Sequence, residues 1–173
     1  MAELTVTETT NLDRYGDAAL EWSRARDALA AVPSPDVTHF LGTCRPDGTP
    51  HAAGVGAQWL AGYLYFTSSL AARKARDLAV NPLCTISVRL PGIDLVLDGS
   101  AARVTDAATL EQVAAGYRTG GWPAQVDGDA LTAPFSAPSA GPPPWHAYRF
   151  TFHTVVGVAT TEPYGATRWR FQR

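Results

Sequence analysis

The spacing of apolar positions changes several times along the chain, and each change marks a predicted element. Over residues 17–32, Trp22, Ala25, Leu29 and Val32 recur at three- and four-residue steps, which predicts a helix with one apolar face, ended by Pro33 and Pro35. The residues before it are polar and rich in Thr, so 1–16 read as a loose arm and 17–173 as one folded domain. Residues 37–44 form a compact apolar run. The next four, Arg45-Pro46-Asp47-Gly48, place Pro and Gly where a turn needs their backbone preferences. Extended structure resumes over 49–59, breaks at Leu60-Ala61-Gly62 and continues over 63–67. Three antiparallel strands joined in sequence by tight turns are expected here.

A helix then runs to Asn81-Pro82, followed by a strand over 83–89 and a turn at Leu90-Pro91-Gly92. Residues 93–104 read as a long strand, with Asp98-Gly99 as the expected bulge. Asp106 caps a helix reaching about Tyr117, with Leu110, Val113 and Ala114 on its apolar side. Residues 118–144 are rich in Gly, Pro, Ala and Ser and read as a long irregular loop, the kind that serves as lid, binding segment or subunit contact. Residues 145–159 and 166–171 are the closing strands. Strands outnumber helices and most are hairpin neighbours. The expected architecture is therefore mainly β: an antiparallel barrel or curled sheet with a few outer helices, not a parallel α/β winding.

A net charge of −2 argues against a nucleic-acid backbone as partner, since that requires a basic face that displaces counterions. No apolar run approaches the length of a bilayer span and the first 30 residues lack a secretory pattern, so a cytoplasmic protein is expected. Cys44 and Cys84 lie in strand-like runs without C-x-x-C spacing, which suits buried free thiols, although a disulfide between them stays open. Neither has a base nearby in sequence that would make it a nucleophile. His39, His51, His146 and His153 lack the spacing of a metal set, so no metal is expected. The tryptophans Trp59, Trp122, Trp145 and Trp169 read first as core or contact residues. Tyr117 and Trp122 are candidate pocket residues at the start of the long loop.

The most informative chemistry lies in Leu64-Tyr65-Phe66-Thr67-Ser68-Ser69 and the helix after it, which carries Arg73, Lys74 and Arg76 in its first turns. Free N–H groups, the helix dipole and two full charges favour an anion at that point. The segment has neither a P-loop core nor G-x-G-x-x-G. Taken alone, it is also readable as an amphipathic helix with solvated cations.

Five pieces in order resemble the pyridoxamine 5'-phosphate oxidase-like superfamily of split β-barrel, FMN-binding proteins. They are Thr43-x-Arg45-Pro46-Asp47-Gly48-x-Pro50-His51, Leu64-Tyr65-Phe66-Thr67, Ala72-Arg73-Lys74-Ala75-Arg76-x-Leu78-x-x-Asn81-Pro82, Leu97-x-Gly99-x-Ala101-x-x-Val104-x-Asp106, and Ala166-Thr167-Arg168-Trp169-Arg170-Phe171. The resemblance implies a homodimer with two interfacial sites, each holding FMN or the deazaflavin F-420. It implies phosphate capture by Thr67, Ser69, Arg73 and Lys74, with Phe66 and Ser68 beside them. The ring system is expected along the strand from His51 to Trp59, against the backbone of Ala53, Gly54, Val55 and Gly56. Arg168 and Trp169 are expected to reach the cofactor tail or a substrate, and His51 is the candidate catalytic side chain.

The implied activity is hydride transfer between the cofactor and a small organic acceptor, with a non-catalytic cofactor carrier as the alternative. The chain departs from the vitamin B6 oxidases themselves. It has Ala52-Ala53-Gly54 where they carry a phosphate-binding Arg, and Arg168-Trp169-Arg170 in place of their closing Arg-Leu-His-Asp-Arg-like stretch. Oxidation of pyridoxamine 5'-phosphate is accordingly disfavoured. The closing stretch resembles the actinobacterial branch that includes F-420-dependent reductases.

Overall fold

The structure, a computed structural model, describes residues 4–31, 37–136 and 140–172. It is a mainly antiparallel β fold with three helices among the described residues. Strand β10 (His146–Ala159) is its spine. Along one edge it pairs with β7 (Ile93–Arg103) over residues 148–159. Its other edge is divided. Residues 146–150 pair with β5 (Tyr63–Ser68), whereas residues 154–158 pair with β11 (Ala166–Gln172). From β7 the ladder continues through β6 (Leu83–Leu90) and β2 (His39–Cys44) to β3 (Pro50–Val55). The path ends unclosed at β3 and at β1 (Thr5–Asn11), which is the split-barrel arrangement.

Four expectations change in detail. The segment read as a loose arm contains β1, which pairs with β11 from Thr5↔Gln172 to Asn11↔Thr167. Its Thr residues are β-branched and suit a half-exposed edge strand, a role that low hydrophobicity conceals. The three early strands are not sequential neighbours: β3 pairs with β2, whereas β4 (Gln58–Leu60) pairs with β5. The chain breaks at Gly56-Ala57, and the Gln58 side-chain amide donates to the Val113 carbonyl at 2.7 Å, drawing β4 onto α3 (Ala107–Thr119).

The long loop holds a hairpin, β8 (Gln125–Asp127) with β9 (Ala130–Thr132), anchored by reciprocal backbone bonds between Leu131 and Trp145. Finally, the register shift near Asp98-Gly99 falls between Phe152 and Thr154 on β10, so His153 is the extra residue. Gly99 accommodates it, because a Cβ there would lie 2.2 Å from the Thr151 carbonyl oxygen.

The helix α1 (Trp22–Ala31) buries Ala25 and Leu29 as its period predicts; Val32, Pro33 and Pro35 lie outside the described residues. The main core gathers α1, the inward sides of β2, β6, β7 and β10, and Trp169, which is 1% exposed. A second cluster joins α3 and the hairpin to Tyr65 and Ala147. Strand β5 separates the two, with Leu64 and Phe66 in one and Tyr65 in the other. That double burial explains its unbroken apolar run.

Gly99→Ala is expected to destabilise the protein by about 3 kcal/mol, read from the urea midpoint, because the clash is with backbone and no side chain can yield. His39 generates a pH dependence. It is buried at 4% exposure with Nδ1 unpartnered, and burial lowers its pKa from 6.5 to about 4. The folded imidazole therefore stays neutral while the unfolded one takes a proton, so stability falls as pH drops from 6.5 toward 4. The full loss is about 3 kcal/mol. His39→Gln is expected to flatten that part of a pH–stability curve; an unchanged slope would refute the assignment.

Candidate functional site

The helix α2 (Arg73–Val80) starts directly after the turn that ends β5. Ser69 shapes that turn: its hydroxyl accepts from Ala71 N at 3.3 Å and its carbonyl from Ala72 N at 3.1 Å. Ala72, the N-cap, makes no side-chain cap bond, so the first N–H groups of the helix keep their donors. Ala75, Asp77 and Leu78 are buried and set the helix's rotation. The Thr43 hydroxyl donates to Asp77 Oδ2 at 2.9 Å, tying α2 to β2.

This rotation turns Arg73 outward and leaves Lys74 half-buried. Neither has an ion-pair partner among the described residues. Burial pushes the Lys74 ammonium below its usual pKa, with no carboxylate offsetting it. Thr67 is half-buried beside the turn, whereas Ser68 is buried and donates to the Ser69 carbonyl at 3.0 Å. Phe66 lies in the core, stacked on Tyr148 with centroids 5.3 Å apart. It can offer a ligand only its backbone.

The expected ring strand is divided between β3 and β4. On β3, Ala53 is half-buried, Gly54 is exposed and Val55 is buried inward. A Cβ on Gly54 would meet only Thr38 Cγ2, at 3.4 Å, so the backbone there is open to a flat group. Gly56 is held from behind, since the Tyr117 hydroxyl donates to its carbonyl at 2.8 Å. Burial drives the Tyr117 pKa upward, and the hydroxyl stays a donor. Tyr117 is therefore not the pocket wall expected from its place near the loop. It links α3 to the strand break, and Trp122 packs on it edge-on at 4.7 Å.

The closing stretch lies elsewhere within the chain. Ala147 on β10 faces Thr67, and Val156 faces Arg168. Nine residues of strand separate them, at most about 30 Å. Arg168 sits 3.7 Å from Glu8 and donates to the Thr10 hydroxyl at 3.3 Å. Trp169 is a core residue with its N–H donated to the Leu20 carbonyl at 3.2 Å, which removes it from ligand contact in this chain. His51 is half-buried at the start of β3, opposite Thr43 and at the other end of α2 from Arg73.

Both cysteines are free, and burial raises the Cys84 thiol to about 12, leaving it unreactive. No cluster of three or more metal-ligating side chains occurs among the described residues. Sequence reasoning missed Asp77, whose only signal was a carboxylate on the apolar side of a helix. It also missed Gln58, which has no signal without α3 in place.

Residues 25–159 match the family model described as "Pyridoxamine 5'-phosphate oxidase". No curated protein matches the chain. Among solved structures, an FMN-binding, pyridoxamine 5'-phosphate oxidase-related protein from Nostoc punctiforme is 17% identical with a TM-score of 0.54, over 90% of this chain and 98% of its own. A protein described as an F420 reductase is 22% identical with a TM-score of 0.51, over 75% of this chain and 94% of its own. PhzG from Burkholderia lata, solved with tetrahydrophenazine-1-carboxylic acid, is 16% identical with a TM-score of 0.54, over 87% of each chain. At these identities the structural likeness is one of fold. With the family model spanning most of its length and the split barrel present, the chain belongs to the pyridoxamine 5'-phosphate oxidase-like family.

Proposed function

We propose that the protein is a flavin- or deazaflavin-dependent oxidoreductase of the cytoplasm that passes hydride between bound FMN or F-420 and a small organic acceptor. One observation carries the reading: Lys74 is half-buried without a counter-ion, beside Arg73 and the uncapped start of α2. Desolvating an ammonium is unfavourable unless an anion shares the site. Arg73 and Lys74 would hold the cofactor phosphate, with Thr67 and the Ser69 turn completing the cradle. The open backbone of Ala53, Gly54 and Gly56 would support the ring, and Tyr117 would fix that backbone from behind. When bound, the cofactor supplies the hydride chemistry; the protein binds it, orients it and excludes water.

The family model and the names of the FMN-binding and F420 reductase structures support this reading. A homodimer belongs to the same proposal. Arg168, up to about 30 Å along β10 from Thr67, would approach a ligand seated at Arg73 and Lys74 from a second copy. Exposed Phe40 and Val96, in one cross-strand row with Gly54, provide apolar surface for it.

Titration with FMN and, separately, with F-420 is expected to give one saturable site per chain at micromolar or tighter affinity for one of them. Arg73→Ala combined with Lys74→Ala is expected to weaken that affinity at least ~100-fold, since each charge-assisted contact is worth about 1.5–3 kcal/mol. The melting temperature of the cofactor-free protein should barely move. Unchanged affinity in calorimetry would show that these cations serve solvent alone. In anaerobic mixing, the bound reduced cofactor is expected to be reoxidised by an acceptor panel faster than free cofactor is. Equal rates would leave the protein a carrier.

A further inference from the structure

Lys74 is the only lysine in the chain; every other basic side chain is an arginine or a histidine. The fold places it half-buried, one position after Arg73, in the first turn of α2. We propose that the Lys74 amine is a modification site, acylated by small acyl phosphates that dock through their phosphate group at Arg73 and the start of α2, and that the acyl group shuts off anion capture there. The acylation stands apart from the oxidoreductase reading; its effect on cofactor binding rests on that reading.

An amine reacts only as the free base, and three features of the fold leave Lys74 poorly held as an ammonium. Its side chain is partly withdrawn from water, which lowers its pKa. The carboxylate best spaced to pair with it, Asp77 three residues on, is turned inward: it is 1% exposed, and its Oδ2 accepts from the Thr43 hydroxyl at 2.9 Å. The helix dipole presents its positive end at the same point, which disfavours a cation. The flanking Arg73 and Arg76 guanidiniums stay protonated and cannot compete as nucleophiles.

The same turn supplies the docking half. Ala72 makes no side-chain cap bond, so the first N–H groups keep their donors, and helical side chains lean toward the N-terminus, which brings Arg73 and Lys74 to the same end. A phosphate held there leaves a short acyl group beside the neighbouring Nζ. An acyl phosphate carries in one small molecule the anion this end favours and an activated carbonyl. Nζ attacks the carbonyl carbon, a C–N bond forms and the C–O bond to phosphate breaks. Phosphate departs with the electron pair, and the amine proton passes to it or to water. The resulting amide is uncharged, so one of the two cations is lost.

The test treats the cofactor-free protein and a synthetic peptide of residues 69–80 with acetyl phosphate, and in parallel with the neutral ester p-nitrophenyl acetate, reading acetylation of Lys74 by mass spectrometry. With acetyl phosphate, Lys74 of the folded protein is expected to react at least ~10-fold faster than the same lysine in the peptide. With the neutral ester the advantage should be smaller. Arg73→Ala and added inorganic phosphate should each remove the difference between the two donors. No advantage over the peptide, an equal advantage with both donors, or an unaffected Arg73→Ala variant would each overturn the modification site and leave the cofactor reading untouched. The acetylated protein is then titrated by calorimetry with FMN, F-420 and inorganic phosphate. Affinity should fall at least ~10-fold, whereas Lys74→Arg given the same treatment should bind as its untreated form does. Full affinity in the acetylated protein would overturn the shut-off. Loss of inorganic phosphate binding in a protein that binds neither cofactor would support the shut-off and refute the redox function alone.

Discussion

The fold depends on a backbone hydrogen-bonding constraint at β10. Two successive strands, β5 and β11, share one of its edges while β7 occupies the whole of the other. A flat strand of fourteen residues would keep all its neighbours in one plane. The extra residue at His153 bends the strand and increases its twist, so that its two halves face different parts of the molecule. The first half closes around β5 and the second carries β11 and β1 outward. Gly99 is the complementary part of the device, because the bulged backbone occupies the space of a side chain. The barrel is split for this reason, and the end of β5 emerges where α2 can cap it.

The placement of α2 then organises the cationic end. Its eight residues span about 12 Å, with Arg73 and Lys74 at one end and Asn81 at the other. The buried pair of Thr43 and Asp77 locks the helix against β2, so Lys74 cannot rotate out into solvent without breaking a buried hydrogen bond. Holding Lys74 partly desolvated is a standing cost in the free protein. An anion would relieve it, and the energy stored there becomes binding energy.

Much of this was legible in the sequence because the relevant signals are local. The strands β6 and β7, the turn at Pro91 and the Asp106 cap, whose carboxylate accepts from Thr109 N at 2.8 Å, follow from alternation and capping chemistry. The placement of two cations in the first turn of a helix after a hydroxyl-rich strand end was legible too, since it needs no tertiary information. What was hidden depends on partners distant in sequence. The strand β1 looks like a tail until β11 offers its edge. The hairpin of β8 and β9 is three residues per strand and becomes visible only through its bond to Trp145. Asp98 and Gly99 do mark the bulge, yet the extra residue lies on the partner strand, which no local rule identifies. Trp169 read first as a core residue and, through the resemblance, as a ligand contact; its buried N–H bond to the Leu20 carbonyl depends on a partner far away in sequence.

Stability and binding are separable in this arrangement because they draw on different atoms. The two cores are built from β5, β7, β10 and the inward faces of the helices. Arg73 and Lys74, which have no ion-pair partner among the described residues, stand at the start of α2, where side chains leave the core. Removing any of these charges deletes no packing, whereas neutralising them with a ligand adds attraction that the free protein lacks.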